Sequence, residues 1–129
     1  MPVILYLATV IPFLVLDAVM LKLVMAPLFR RFIGPLMLET PRLAPAALFY
    51  LAYVAGLVWL VSAPALKRGE GVVLPALILG AMAYGTYEFT SWAVLKGWNW
   101  RMVVTDVTWG AVLTAVSAWI GVSVARMAS

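Results

Sequence analysis

The chain has 129 residues, of which 66% are hydrophobic and only 11% charged, with a formal net charge of +4, and its mean hydropathy is +1.08. A soluble domain is about half apolar and about a quarter charged, and a small one keeps much of its surface in water, so lipid must solvate most of this surface. Without Cys or His, the chain excludes disulfides, thiolate nucleophiles, a Ser-His-Asp triad and His-ligated zinc or haem within itself. Proton chemistry is left to Asp, Glu, Tyr, Lys or water, and no cofactor or metal is expected.

A bilayer-spanning helix needs about 20 mostly apolar residues, and four such segments follow one another. The first runs from Val3 to Met25, the second from Ala44 to Leu66, the third from Val72 to Leu95 and the fourth from Met102 to Ala125. An open sheet edge is too costly in hydrocarbon, so all four are expected to be helices. The opening "MPVILYLATVIPFLVLDAVML" lacks a charged leader and an A-x-A site, and reads as a first span rather than a cleaved signal. Between the first two spans, residues 26–42 carry Leu28, Phe29, Phe32, Ile33 and Leu36 at helical spacing, with Arg30 and Arg31 on the other side. This segment predicts an interfacial helix broken at Gly34-Pro35. The expected fold is therefore an all-α, polytopic membrane protein: a single domain, residues 1–129, forming a four-transmembrane-helix bundle with a short interfacial helix between helices 1 and 2.

The remaining connections, 67–71 and 96–101, are short enough to join only antiparallel neighbours. Of the nine Lys and Arg residues, Lys22, Arg30, Arg31, Arg42, Lys96 and Arg101 fall at one end, and Lys67, Arg68 and Arg126 at the other. The positive-inside rule places loops 26–43 and 96–101 in the cytoplasm and both termini outside. The bases are too dispersed for a nucleic-acid surface. Small residues recur four apart at Ala52/Gly56, Ala76/Gly80, Ala81/Gly85 and Ser117/Gly121, spacing that lets helix backbones approach closely within the bundle.

Three acids interrupt the apolar spans: Asp17, Glu88 and Asp106. At 1.5 Å per residue, Glu88 lies about 12 Å before Lys96, Asp106 about 8 Å after Arg101 and Asp17 about 12 Å before Met25. All three thus fall at one depth, on the basic side. An intramembrane acid costs at least ~2.5–3.5 kcal/mol at the bilayer centre and normally faces the bundle interior. Tyr84, Glu88 and Ser91 share a helix face, flanked by Tyr87 and Thr90; Asp106, Trp109, Gly110 and Leu113 share another; Tyr6, Phe13 and Asp17 roughly share a third. The candidate ligand-binding set is Asp17, Tyr84, Tyr87, Glu88, Thr90, Ser91, Asp106 and Trp109. Such a cluster can bind a cation or amine, shuttle protons, or tie helices together through hydrogen bonds and pairs with Lys22, Lys96 or Arg101. Trp98 and Trp100 read as interfacial belt residues, Trp59 and Trp119 as lipid-facing or packing, and only Trp92 and Trp109 as near the acids.

These same residues carry a resemblance. "LDAVML", "FYLAYVAGLVWLVSAPAL", "TYEFTSWAVLKGW" and "DVTWG" are similar to the motifs of a bacterial family of small membrane proteins, domain of unknown function 2177, over nearly the whole chain. Glu88 stands where that family usually has Asp, Ser91 where it has Asn, and Met20 where it has an aromatic residue. The resemblance implies a bacterial inner-membrane fold and the location of the site, and adds no reaction.

Three functions are compatible with the sequence. The first is binding or transport of a small molecule, lipid or cation at an intramembrane acidic and aromatic pocket. The second is an accessory or structural subunit of a larger membrane complex. The third is an intramembrane enzyme acting on a lipid or isoprenoid through Asp and Glu. Beyond the lipid bilayer, the expected partners are a small-molecule or lipid ligand, and further copies or subunits, because four helices leave little room for a pore.

Overall fold

The computed structural model describes residues 2–38 and 42–128, and among these it contains helices and no strand. Residues 39–41 of the first connection, and the two terminal residues, lie outside the described residues.

Helix α1 (Pro2–Met20) does not stop at the end of the expected first span. A π-helical turn, Leu21–Met25, carries it directly into α2 (Ala26–Ile33), and a 3₁₀ turn, Gly34–Leu36, ends the run. The second span is α3 (Leu43–Leu57), continued through a second π turn, Val58–Ser62, into α4 (Ala63–Arg68). Each π turn immediately precedes a helix that has proline near its start, Pro27 or Pro64. Proline inside a helix lacks a donor N–H and its ring crowds the carbonyl one turn back. Widening the turn accommodates both defects: the Ala26 N–H bonds Leu21 O, and the Ala63 N–H bonds Val58 O. Pro27 therefore sits inside a continuous helical run where separate elements were expected. Helix α5 (Val73–Val94) and helix α6 (Trp100–Ala128) complete the chain.

Three helical runs, Pro2–Leu36, Leu43–Arg68 and Trp100–Ala128, are long and apolar enough to cross a membrane. Helix α5 has 22 residues, but Tyr84, Thr86, Tyr87, Glu88, Thr90 and Ser91 crowd its second half. The residues of the candidate site are thus what set it apart from the other three.

Helix α6 is the central column. It buries twelve residues, most of them small, and packs along α5 and α1. The approach is close because glycines stand at the crossings. A Cβ on Gly80 would collide with the Gly110 carbonyl and Thr114, and one on Gly121 with the Thr9 hydroxyl. Of the small-residue pairs, Ala76/Gly80 and Ser117/Gly121 are therefore packed as expected, whereas Gly56 and Gly85 have nothing within 4 Å of where a Cβ would sit. Polar ties join the helices: Tyr6 donates to the Leu51 carbonyl at 3.0 Å, and the Tyr53 and Thr114 hydroxyls meet at 2.9 Å.

The two ends are closed differently. At one, Arg126 donates to the Glu70 carbonyl at 2.7 Å. At the other, Leu28, Phe29, Phe32 and Ile33 of α2 pack on a cluster of Trp98, Met102 and Val103. The apolar stripe of α2 thus faces protein, Leu36 is exposed outside it, and Arg30 and Arg31 point to solvent.

Candidate functional site

The site forms at the α2 end of the bundle, and the turn "KGWNW" (96–100) builds part of it. The Leu95 N–H bonds the Ser91 carbonyl at 2.9 Å and ends α5. Gly97 follows with φ of 82°, in the left-handed region, and a Cβ there would lie 2.8 Å from the Phe32 carbonyl oxygen. Only glycine satisfies both conditions. The reversal turns Trp98 back into the bundle, and Asn99 Oδ1 then accepts the Arg101 N–H at 2.9 Å, capping α6.

Trp98 is buried, and its indole N–H donates to Glu88 Oε1 at 3.0 Å. The Phe29 ring packs edge-on to it at 5.3 Å and the Tyr87 ring at 5.8 Å. Glu88 is fully buried, and its carboxyl lies within hydrogen-bonding reach of Asp106 on α6. No N–H or O–H donor serves Glu88 Oε2, and a hydrogen bond between the two carboxyls would require a proton on one of them.

The third acid approaches from α1. Asp17 is buried, and Asp17 Oδ1 accepts the indole N–H of Trp109 at 3.1 Å. The Tyr50 hydroxyl of α3 faces the same carboxyl without completing a well-formed bond to Oδ2, which has no partner. Asp17 is also close enough to act electrostatically on Asp106. The Tyr84 ring covers Gly110 in direct contact and meets Tyr53 edge-on at 6.3 Å, and its hydroxyl is likewise without a partner. No lysine or arginine is among the groups acting on the three acids. The pairs with Lys22, Lys96 or Arg101 that would make the acids plain structural ties are therefore missing from the described residues.

The structure gathers Asp17, Tyr84, Glu88, Asp106 and Trp109, with Ser91 buried on the Glu88 face. Tyr87 stands at the rim, exposed but packed on Trp98. Two expectations need correction. Thr90 is exposed because it sits two residues beyond Glu88, on the opposite side of α5. Trp92 is exposed, and its ring meets that of Phe89 at a tilt, 6.0 Å between centroids. Trp98, expected in the interfacial belt, belongs to the cluster instead, and Trp100 alone keeps the belt position, with Arg101 over its ring at 5.6 Å. Tyr50 is a further member that sequence reasoning did not find. A cleft of about 640 Å³ exists elsewhere, between α1 and α6, lined only by apolar residues such as Ile4, Leu7, Ile11 and Ile120.

The arrangement defines a helical membrane protein with a carboxyl cluster walled by aromatic side chains near one end of its bundle. Residues 2–123 match the predicted membrane protein family DUF2177, and the chain belongs to that family. No curated protein and no solved structure gives a significant match.

Proposed function

We propose that the chain binds a small ligand, and carries it through a bacterial inner membrane, at the cluster of Asp17, Glu88 and Asp106. One observation supports this above all. Of the five buried side-chain oxygens without hydrogen-bond partners among the described residues, three, Asp17 Oδ2, Glu88 Oε2 and the Tyr84 hydroxyl, belong to residues of the candidate site. A buried acceptor left unsatisfied costs about 1–3 kcal/mol, and in hydrocarbon no bulk water is at hand to offset it. The two carboxyl oxygens accept hydrogen bonds and the Tyr84 hydroxyl both donates and accepts, so a ligand that brings positive charge or donors suits the carboxyls: a cation, an amine or a polyhydroxyl headgroup. On this reading α5 is a fourth span, the α2 end faces the cytoplasm, and both termini lie outside.

The alternative, an accessory subunit of a larger complex, draws support from the thin packing of α3, which buries only Val54 and Leu57. Among the described residues no group of three or more acids gathers closely enough to hold a metal ion, and the enzyme reading gains no support from the geometry.

Native mass spectrometry of the protein gently extracted from its own membrane tests the proposal. The expected result is a homo-oligomer with a reproducible bound mass that Asp17→Asn, Glu88→Gln and Asp106→Asn each remove. Spectra containing only unrelated subunits, unchanged in the variants, would favour the accessory reading.

A further inference from the structure

We infer that the basic outer face of α2, together with the turn at 96–101, is a docking surface for the headgroups of anionic phospholipids. The surface uses none of the residues of the carboxyl cluster and stands whether or not that cluster binds a ligand.

Length brings α2 to the edge of the bilayer. The helical run Pro2–Leu36 has 35 residues, about 52 Å at 1.5 Å per residue. The hydrocarbon core of a bilayer is about 30 Å thick, so about 15 residues of the run must lie outside it. Residues 2–21 carry one charged side chain, the buried Asp17, whereas Lys22, Arg30 and Arg31 all fall within residues 22–36. The α2 end is therefore the part that leaves the hydrocarbon, and it meets the lipid phosphates there.

Two segments bring bases to this end. Arg30 and Arg31 stand on α2 away from its apolar stripe, and the turn adds Lys96 and Arg101; all four are exposed. The segments touch: a Cβ on Gly97 would lie 2.8 Å from the Phe32 carbonyl oxygen, and the Phe29 ring meets the Trp98 ring at 5.3 Å. Lys22 and Arg42, also exposed, flank α2 along the chain. Among the described residues no carboxylate pairs with any of these six bases. Arg31 lies over the Phe32 ring at 5.5 Å and Arg101 over the Trp100 ring at 5.6 Å, contacts that leave guanidinium N–H groups able to donate. A cluster of about four to eight bases beside a span is enough to attract anionic headgroups. At the opposite end the bases are three, with Glu70 among them, and Arg126 is engaged by the Glu70 carbonyl.

The neighbours of the bases select a lipid over a free anion. Exposed apolar side chains border them: Leu23 next to Lys22, Leu36 beyond Arg31, Leu95 next to Lys96 and Trp100 next to Arg101. A phospholipid offers its phosphodiester to the bases and its acyl chains to these side chains, whereas inorganic phosphate uses only the bases. Arginine grips phosphate oxygens through paired, charge-assisted hydrogen bonds. A zwitterionic headgroup brings its own cation towards the bases, so a headgroup of net negative charge fits better.

The test uses the purified full chain in a neutral detergent. Native mass spectrometry reads the occupancy of added dioleoylphosphatidylglycerol and dioleoylphosphatidylcholine. The expected result is binding of phosphatidylglycerol tighter by about tenfold or more, weakening as ionic strength rises. Each base near an anionic surface contributes about fivefold, so Arg30→Gln combined with Arg31→Gln should weaken phosphatidylglycerol by about twentyfold. Lys67→Gln combined with Arg68→Gln makes the same change of charge at the other end and should leave the affinity within about twofold. If the α2 variant loses its helical circular-dichroism signal, Lys96→Gln combined with Arg101→Gln carries the same expectation. Equal binding of the two lipids would overturn the proposal. Equal weakening by the variants of the two ends would overturn the location, and displacement of phosphatidylglycerol by inorganic phosphate at equal concentration would overturn the phospholipid as ligand.

Discussion

Trp98 donates its indole N–H to Glu88 Oε1 at 3.0 Å across the turn that joins α5 to α6. A residue in a connecting turn thus holds an acid of helix α5, and Phe29 and Tyr87 pack on its ring. The turn and α2 together cover the carboxyl cluster at the basic end. Replacing Trp98 by Phe keeps most of the ring and deletes the donor. The buried Glu88 oxygen is then left unsatisfied, and the expected cost is about 1–3 kcal/mol, read as a lowered thermal midpoint in detergent. A midpoint equal to the parent's would mean that this bond contributes nothing to the fold.

The glycines divide into two groups with opposite expected behaviour. Gly110 lies under the Tyr84 ring and Gly121 under Thr9, so a methyl group at either position forces helices apart. Gly56 and Gly85 are helical and open, and alanine there gains about 0.5–1 kcal/mol of helix preference. Gly110→Ala and Gly121→Ala should unfold at lower temperature than the parent, while Gly56→Ala and Gly85→Ala should unfold at the same or higher temperature. The reverse order would mean that α5 and α1 do not pack on α6 at these crossings.

The helical framework was legible in the sequence, because apolar runs near membrane length stand between short loops, and the rise per residue converts distance from a loop into position along a helix. Glu88 and Asp106 follow from that arithmetic, since they flank a single turn. Trp98 did not follow. A tryptophan in a loop beside Lys96 and Arg101 has the pattern of an interfacial anchor, and only the left-handed backbone at Gly97 turns it inward. Tyr50 was hidden for a different reason: it stands in the apolar run of α3, and which face of that helix meets Asp17 is a matter of tertiary packing. The continuity of α1 with α2 was concealed by Pro27, which suggests a helix start when the turn before it is assumed to be α-helical. Thr90 was brought in by proximity along the chain, whereas helical geometry carries it to the far side of α5; Trp92, four residues beyond Glu88, lies on a neighbouring face and is nonetheless exposed.

Whether α5 crosses the membrane is open to a direct chemical test, because the chain has no cysteine of its own. Glu70 precedes α5 and Lys96 follows it, and both are exposed. Single cysteines at Glu70, Lys96 and Arg30 should be labelled by a membrane-impermeant maleimide from opposite faces: Glu70→Cys from outside intact cells, Lys96→Cys and Arg30→Cys only after the membrane is opened. Labelling of Glu70→Cys and Lys96→Cys from one face would mean that α5 does not cross, and would remove the common depth of the acids.

The carboxyl pair makes a prediction about stability that needs no ligand. Glutamine at position 88 can accept the Trp98 N–H through its carbonyl and donate an amide N–H to the Asp106 carboxylate, a permanent donor where the carboxyl pair needs a proton. Glu88→Gln should therefore stay within about 0.5 kcal/mol of the parent, the range of substitutions that leave no buried partner stranded. Leucine keeps the bulk and strands two groups at once, the Trp98 N–H and the Asp106 carboxyl, so Glu88→Leu should cost about 1–3 kcal/mol for each polar group left without a partner. Thermal unfolding in one detergent, followed by the helical circular-dichroism signal, compares the three proteins. Equal midpoints for the glutamine and leucine variants would show that the contact between Glu88 and Asp106 is not a hydrogen bond and that no proton is held between them.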